Sequence, residues 1–185
     1  MTTLRNKKLI AWLVVAMLLI PLILWAYGND PPTGKTGAPG EGKCSDCHSG
    51  GKGGGKIAVT SSNGTKYKAG VKQHLTITIT DANAKGWGYE ITAVKASSPS
   101  TGEGKFTAVD SNSEIDQVGS KSYSSQINDL AGKTKVVTYK VDWTPPSTKP
   151  NVGNITLYVA GVADTNVSPP SSSSTYNSSL TLTPQ

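Results

Sequence analysis

Three residue types that usually supply chemistry are nearly missing from this 185-residue chain, which holds two cysteines, two histidines and two methionines. Cys44 and Cys47 can form at most one short-range bridge, which excludes the disulfide framework that braces many small exported domains. A structural zinc site would need further donors of the same kind, and the only histidine besides His48 is His74. Beyond residue 30 no stretch sustains a 3.6-residue apolar period over three turns, so a helical domain is excluded. Charge is also sparse. Of the formal net charge of +6, three positive charges sit at the front on Arg5, Lys7 and Lys8. The remaining 15 lysines face 12 acidic residues and are spread singly, as on solvated strand faces. That balance is too mild for a nucleic-acid partner.

What is present begins with an uncharged apolar run from Leu9 to Ala26 directly after those basic residues. Its 18 residues exceed the roughly 7–15 of a signal-peptide core and reach the roughly 18 that can cross a bilayer. Trp25 and Tyr27 stand at its outer end, where aromatic side chains favour the headgroup level. Pro21 and the small-x-small sequence Ala26-Tyr27-Gly28 suit a cleaved leader instead. As anchor or as leader, the basic end stays inside and the remainder lies outside the cytoplasm. The expected organisation is an apolar N-terminal helix within residues 1–28, a Gly/Pro-rich segment over 29–56, and a folded domain over 57–185. The middle segment has scarcely an apolar residue and cannot form a core alone, so it is a linker or a loop wrapped on something.

The folded domain reads as short strands separated by turn residues. Leu75, Ile77 and Ile79 alternate with His74, Thr76, Thr78 and Thr80. Similar alternation marks Ile57 and Val59, then Tyr89, Ile91 and Ala93, then Val137 to Trp143, then Ile155, Leu157 and Val159. Lys105–Val109 is a short strand and Tyr176–Leu182 the last one, while residues 164–179, rich in Ser and Pro, read as a surface loop. Seven or eight strands without intervening helices predict an all-β, antiparallel β-sandwich with Ile77, Ile91, Val141 and Leu157 in its core. Asp110–Glu114 spaces oxygen donors faintly like a calcium loop but lacks the required Gly and bidentate acid, so it reads as a solvated turn.

Cys44-Ser45-Asp46-Cys47-His48 is the one constellation with strong chemical meaning. Two thiols at this spacing can add across the vinyl groups of one haem as thioethers, and the adjacent histidine then lies under the iron as proximal ligand. Haem c attachment occurs beyond the cytoplasmic membrane, which agrees with the export segment. A local disulfide and a redox-active dithiol are the competing readings. The sixth iron position has no methionine to take, because Met1 and Met17 both precede the folded domain. His74 is the remaining strong neutral donor, although the Thr residues on its face place it outward. With one histidine committed to iron, no Ser-His-acid catalytic set can be assembled.

Further motifs accompany the haem sequence. Thr36-Gly37-Ala38-Pro39-Gly40-Glu41 precedes it, and Tyr67-Lys68-Ala69-Gly70, Gly86-Trp87-Gly88-Tyr89-Glu90-Ile91-Thr92-Ala93, Val141-Asp142-Trp143-Thr144-Pro145-Pro146 and Gly153 through Gly161 follow in order. This succession, over about residues 33–183, resembles bacterial exported proteins with a reeler-type (choice-of-anchor) domain. The resemblance implies an immunoglobulin-like sandwich with a cytochrome c motif at its front, and no defined activity. The chain departs from that pattern in having no C-terminal anchor before Gln185, which leaves residues 9–26 as the expected anchor, and in placing His74 where an aromatic residue is expected.

The expected function is one-electron transfer by a monohaem c-type cytochrome-like protein, not an enzyme. It would lie on the periplasmic or cell-surface side of a bacterial membrane, with the membrane and redox proteins as partners. The alternative is a surface adhesion or display module whose haem is structural or sensory.

Overall fold

The computed structural model describes residues 31–48, 53–127, 135–147, 152–165 and 173–185. The expected apolar helix over residues 9–26 lies outside these. Among the described residues no helix is long and apolar enough to cross a membrane.

Two antiparallel sheets pack face to face. The smaller runs in the order β1 (Lys56–Ser61), β3 (Gln73–Asp81), β9 (Lys135–Thr144), β6 (Lys105–Ala108). The larger runs β2 (Lys66–Tyr67), β11 (Ser173–Pro184), β10 (Ile155–Asp164), β4 (Gly86–Lys95), β8 (Lys121–Gln126), β7 (Ser113–Val118), with β5 (Ser98–Gly102) also paired to β4. The exception to antiparallel pairing is a two-residue parallel contact between β2 and β11. This is the expected all-β sandwich, with β2, β5, β7 and β8 in addition to the strands legible in sequence.

Alternation sets the faces. Successive side chains of a strand point to opposite sides of its sheet, so Leu75, Ile77 and Ile79 all turn inward and are buried, while His74 is exposed. Val137, Tyr139, Val141 and Trp143 do the same on β9, and Ile155, Leu157 and Val159 on β10. The four residues expected at the core, Ile77, Ile91, Val141 and Leu157, have no solvent exposure. Aromatic contacts tie the layers together: Tyr89 of β4 lies 4.5 Å from Tyr139 of β9, and Tyr67 meets Trp143 edge-on at 6.2 Å. Among the described residues every buried side-chain nitrogen or oxygen has a hydrogen-bond partner.

β4 is buried along nearly its whole length, unlike a strand with one wet face. Its odd-numbered residues Trp87, Tyr89, Ile91 and Ala93 enter the core. Its even-numbered residues face away from the core, yet Glu90, Thr92 and Val94 are as buried as the others. Gly34 and Lys35 bond Glu90 on that outer face, so residues 31–48 are a loop laid on the outside of the larger sheet. The stretch expected as a surface loop over 164–179 is strand from Ser173 onward, because each residue from Ser173 to Leu182 pairs with β10.

Leu157→Ala should remove side-chain contacts from a site with no exposure and cost roughly 2–5 kcal/mol. Urea unfolding followed by tryptophan fluorescence measures it, with the midpoint falling and the slope unchanged.

Candidate functional site

The covering segment makes its own small hairpin before it reaches the cysteines. Gly42 N donates to Gly34 O at 3.0 Å and Gly37 N to Gly42 O at 2.9 Å, and Thr36 bridges Lys43. Gly40 closes the tip at a φ of 84°, a conformation that glycine adopts without steric cost. Cys44–Asp46 then form one turn of 3-10 helix, with Asp46 N bonded to Lys43 O and His48 N to Cys44 O. The Asp46 carboxylate receives Lys43 N and Lys35 Nζ, each at 3.0 Å, and these bonds hold it below the usual carboxylate range. The turn gathers Cys44, Cys47 and His48 on one side of the segment.

Two carboxylates dock the segment onto the larger sheet. Glu90, 1% exposed, accepts Gly34 N at 2.9 Å and Lys35 N at 2.5 Å. Burial pushes its carboxyl up to about 7; the two N–H donors oppose this shift, and the charges of Glu41 and Asp116 add to it. Glu41 reaches the other way, from the segment onto β8. It accepts Lys121 Nζ at 2.5 Å and Tyr123 OH at 2.7 Å through Oε1, and Thr36 Oγ1 at 2.5 Å through Oε2. Loss of hydration, followed by the Glu41 carboxylate, raises the Tyr123 phenol well above its ordinary value.

Between this segment and the outer face of the larger sheet lies a cavity of about 460 Å³. Cys44, Cys47 and His48 line it from the segment; Gly86, Gly88 and Val162 line it from the sheet. In Gly86-Trp87-Gly88-Tyr89 the strand sends its aromatic rings into the core and only hydrogen outward. A Cβ on Gly88 would stand 2.8 Å from Gln126 Nε2. Tyr89 belongs to the same stretch, but its hydroxyl bonds Ser113 and Ser124 inside the core.

Both thiols are free, Cys44 half-buried and Cys47 exposed. Burial, followed by the nearby Glu90 charge, pushes the Cys44 thiol up to about 12. His48 Nδ1 lies 3.1 Å from Ser173 Oγ, and Ser173 donates to Asp164 Oδ1 at 2.8 Å. Nε2 is thereby the imidazole nitrogen left for a ligand. Among the described residues no group of three or more His, Cys, Asp or Glu side chains is arranged to hold a bare metal ion.

The structure brings Cys44, Cys47 and His48 to one cavity and does not bring His74 there. His74 projects from the outer face of the smaller sheet with its side chain 74% exposed, and its Nδ1 bonds Asp142 Oδ1 at 2.6 Å. Lys72 holds the other Asp142 oxygen at 3.0 Å. Loss of hydration works to raise Asp142, but the bonds from His74 and Lys72 prevail and lower it. Asp81, at the far end of β3 from His74, accepts Tyr176 OH of β11 at 2.6 Å. His74 stands seven residues back along that strand, roughly 23 Å at the usual rise per residue. Sequence reading missed Glu90, Glu41, Ser173 and Asp164. The signal available for the first two was a polar segment that had to be held by something other than apolar burial.

No protein-family model matches the chain, and no curated protein matches it. Among solved structures, the human F-spondin reeler domain is similar at 14% identity and a TM-score of 0.46, covering 75% of this chain and 94% of that one. A cohesin module from a Clostridium perfringens family 33 glycoside hydrolase is similar at 11% identity and a TM-score of 0.43, covering 71% and 96%. AggA, the major subunit of aggregative adherence fimbriae type I from Escherichia coli, is similar at 15% identity and a TM-score of 0.37, covering 75% and 100%.

The raised Glu90 carboxyl has a signed consequence for stability. Folded Glu90 holds its proton up to about pH 7, whereas the unfolded group releases it near the ordinary value of 4.5. Its contribution is therefore fully present below the unfolded value and is lost as pH rises through 7. The displacement corresponds to at most about 3 kcal/mol. Calorimetry between pH 5 and pH 8 should show the melting temperature falling with pH, and Glu90→Gln should flatten that slope.

Proposed function

We propose that the chain is an exported protein carrying one haem c, attached through Cys44 and Cys47 with His48 as the proximal iron ligand, and that it transfers single electrons at the outer face of a membrane. The observation that carries this reading is the convergence of two free thiols and one imidazole on a single cavity. Its volume lies within the roughly 300–1,000 Å³ of cofactor pockets. The residues present fit such a group. The sheet side of the cavity carries Gly86, Gly88 and Val162 together with the polar Glu90, Gln126 and Asp164, the segment would supply both thioether sulfurs from one turn, and the Ser173 contact on Nδ1 leaves Nε2 of His48 for the iron.

When bound, a haem c alternates between ferric and ferrous iron and so carries one electron. The chain's own residues hold it. Lys35 and Lys43 place positive charge beside the cavity, where anionic side groups are stabilised. Glu90 and Glu41 keep the covering segment against the sheet. The Cys44 thiol works against a redox-active dithiol, which needs a thiolate near neutral pH. Residues 9–26 keep the domain at the membrane, within reach of redox proteins.

Chain produced with haem-attachment machinery should give the pyridine haemochrome spectrum of a doubly attached haem and a reversible one-electron titration. Cys44→Ser or Cys47→Ser should each abolish stable double attachment, seen by haem staining after denaturing electrophoresis. Undiminished staining of the double serine variant would refute the attachment; a haem that cannot be reversibly reduced would refute the electron-carrier role.

A further inference from the structure

Ser173 and Asp164 lie far from the cysteines in sequence, and nothing in the attachment chemistry requires them. We propose that they are positioning residues for His48, holding its imidazole in the tautomer with the proton on Nδ1 and the Nε2 lone pair free for the iron. The proposal rests on the function just described and adds to it the residues that set the ligand's state.

The direction of the hydrogen bonds follows from counting protons. A serine hydroxyl has one proton and two lone pairs. Ser173 spends its proton on Asp164 Oδ1 at 2.8 Å. Toward His48 Nδ1, at 3.1 Å, its oxygen therefore presents a lone pair. Nδ1 must be the donor in that contact. A neutral imidazole has a single N–H, so its Nε2 carries the lone pair.

The pair is also held rigidly. Asp164 and Ser173 are direct register partners across β10 and β11, so their spacing is fixed by the sheet ladder. Lys85 N anchors the Asp164 carbonyl at 2.7 Å, and Ser173 is 1% exposed, which keeps water from replacing the hydroxyl. An acceptor on Nδ1–H raises the basicity of the other nitrogen and fixes the plane of the ring. With an iron bound, that favours the ferric state and lowers the reduction potential.

The test has two independent readouts. In the full chain without haem, above the imidazole titration range, nitrogen-15 chemical shifts should show His48 mainly as the Nδ1–H tautomer. His74→Gln assigns the two histidine signals. Ser173→Ala should shift His48 toward the Nε2–H form, and Ser173→Thr, which keeps the hydroxyl, should restore it. In the haem-loaded chain the reduction potential should rise in Ser173→Ala and return in Ser173→Thr. Asp164→Asn leaves the hydroxyl in place and serves if Ser173→Ala does not fold; it should move tautomer and potential in the same direction by less. A wild-type His48 that is mainly Nε2–H, or a tautomer and potential unmoved in these variants, overturns the proposal. If the wild-type chain takes up no haem, the proposed function fails, and the tautomer measurement still decides the relay.

Discussion

The site depends on one buried carboxylate. Residues 31–48 have little apolar surface to bury, so hydrophobic contact cannot hold them on the sandwich; Ala38 and Thr36 are the well-buried exceptions. Glu90 supplies what is missing by accepting two adjacent backbone N–H groups from the segment. Removing a carboxylate from water is costly, and two donors aimed at it offset part of that cost. Glu41 makes the reciprocal contact from the segment to Lys121 and Tyr123. The cavity is a gap between two surfaces and exists only while these bonds keep them together.

β4 shows how one strand serves both core and site. Its inward aromatic residues join the sheets, and Tyr139 OH donates to Trp87 O at 3.0 Å across them. Its outward Gly88 lets the Gln126 side chain lie close against the strand, and its outward Glu90 holds the cover. The same alternation that builds the sandwich also sorts cavity lining, anchor and core along five consecutive residues.

What could be read from sequence follows from what alternation can express. β3, β9 and β10 were legible because each has one apolar and one polar face. β8 was not: Lys-Ser-Tyr-Ser-Ser-Gln looks like a turn, yet Ser122, Ser124 and Ser125 are buried because their neighbours supply hydrogen bonds on both sides. Ser173 was hidden in the same way within a serine run. Glu90 occupies a polar position in an alternating strand, which ordinarily faces water. Only the long-range docking of residues 31–48 changes its environment. The grouping of Cys44, Cys47 and His48 at one cavity follows from their local spacing, whereas His74 lies on the other sheet.

The hydrogen bond from His48 to Ser173 joins residues 125 positions apart, and the Glu90 bonds span 55 and 56. Contacts of such separation form late, after the intervening chain has collapsed and paired. Ser173 reaches His48 only when β11 is paired with β10, so the Cys-x-x-Cys-His turn gains this partner from the far end of the chain. Closure therefore bears unequally on the two thiols, since Cys47 stays exposed in the folded structure while Cys44 is half-buried.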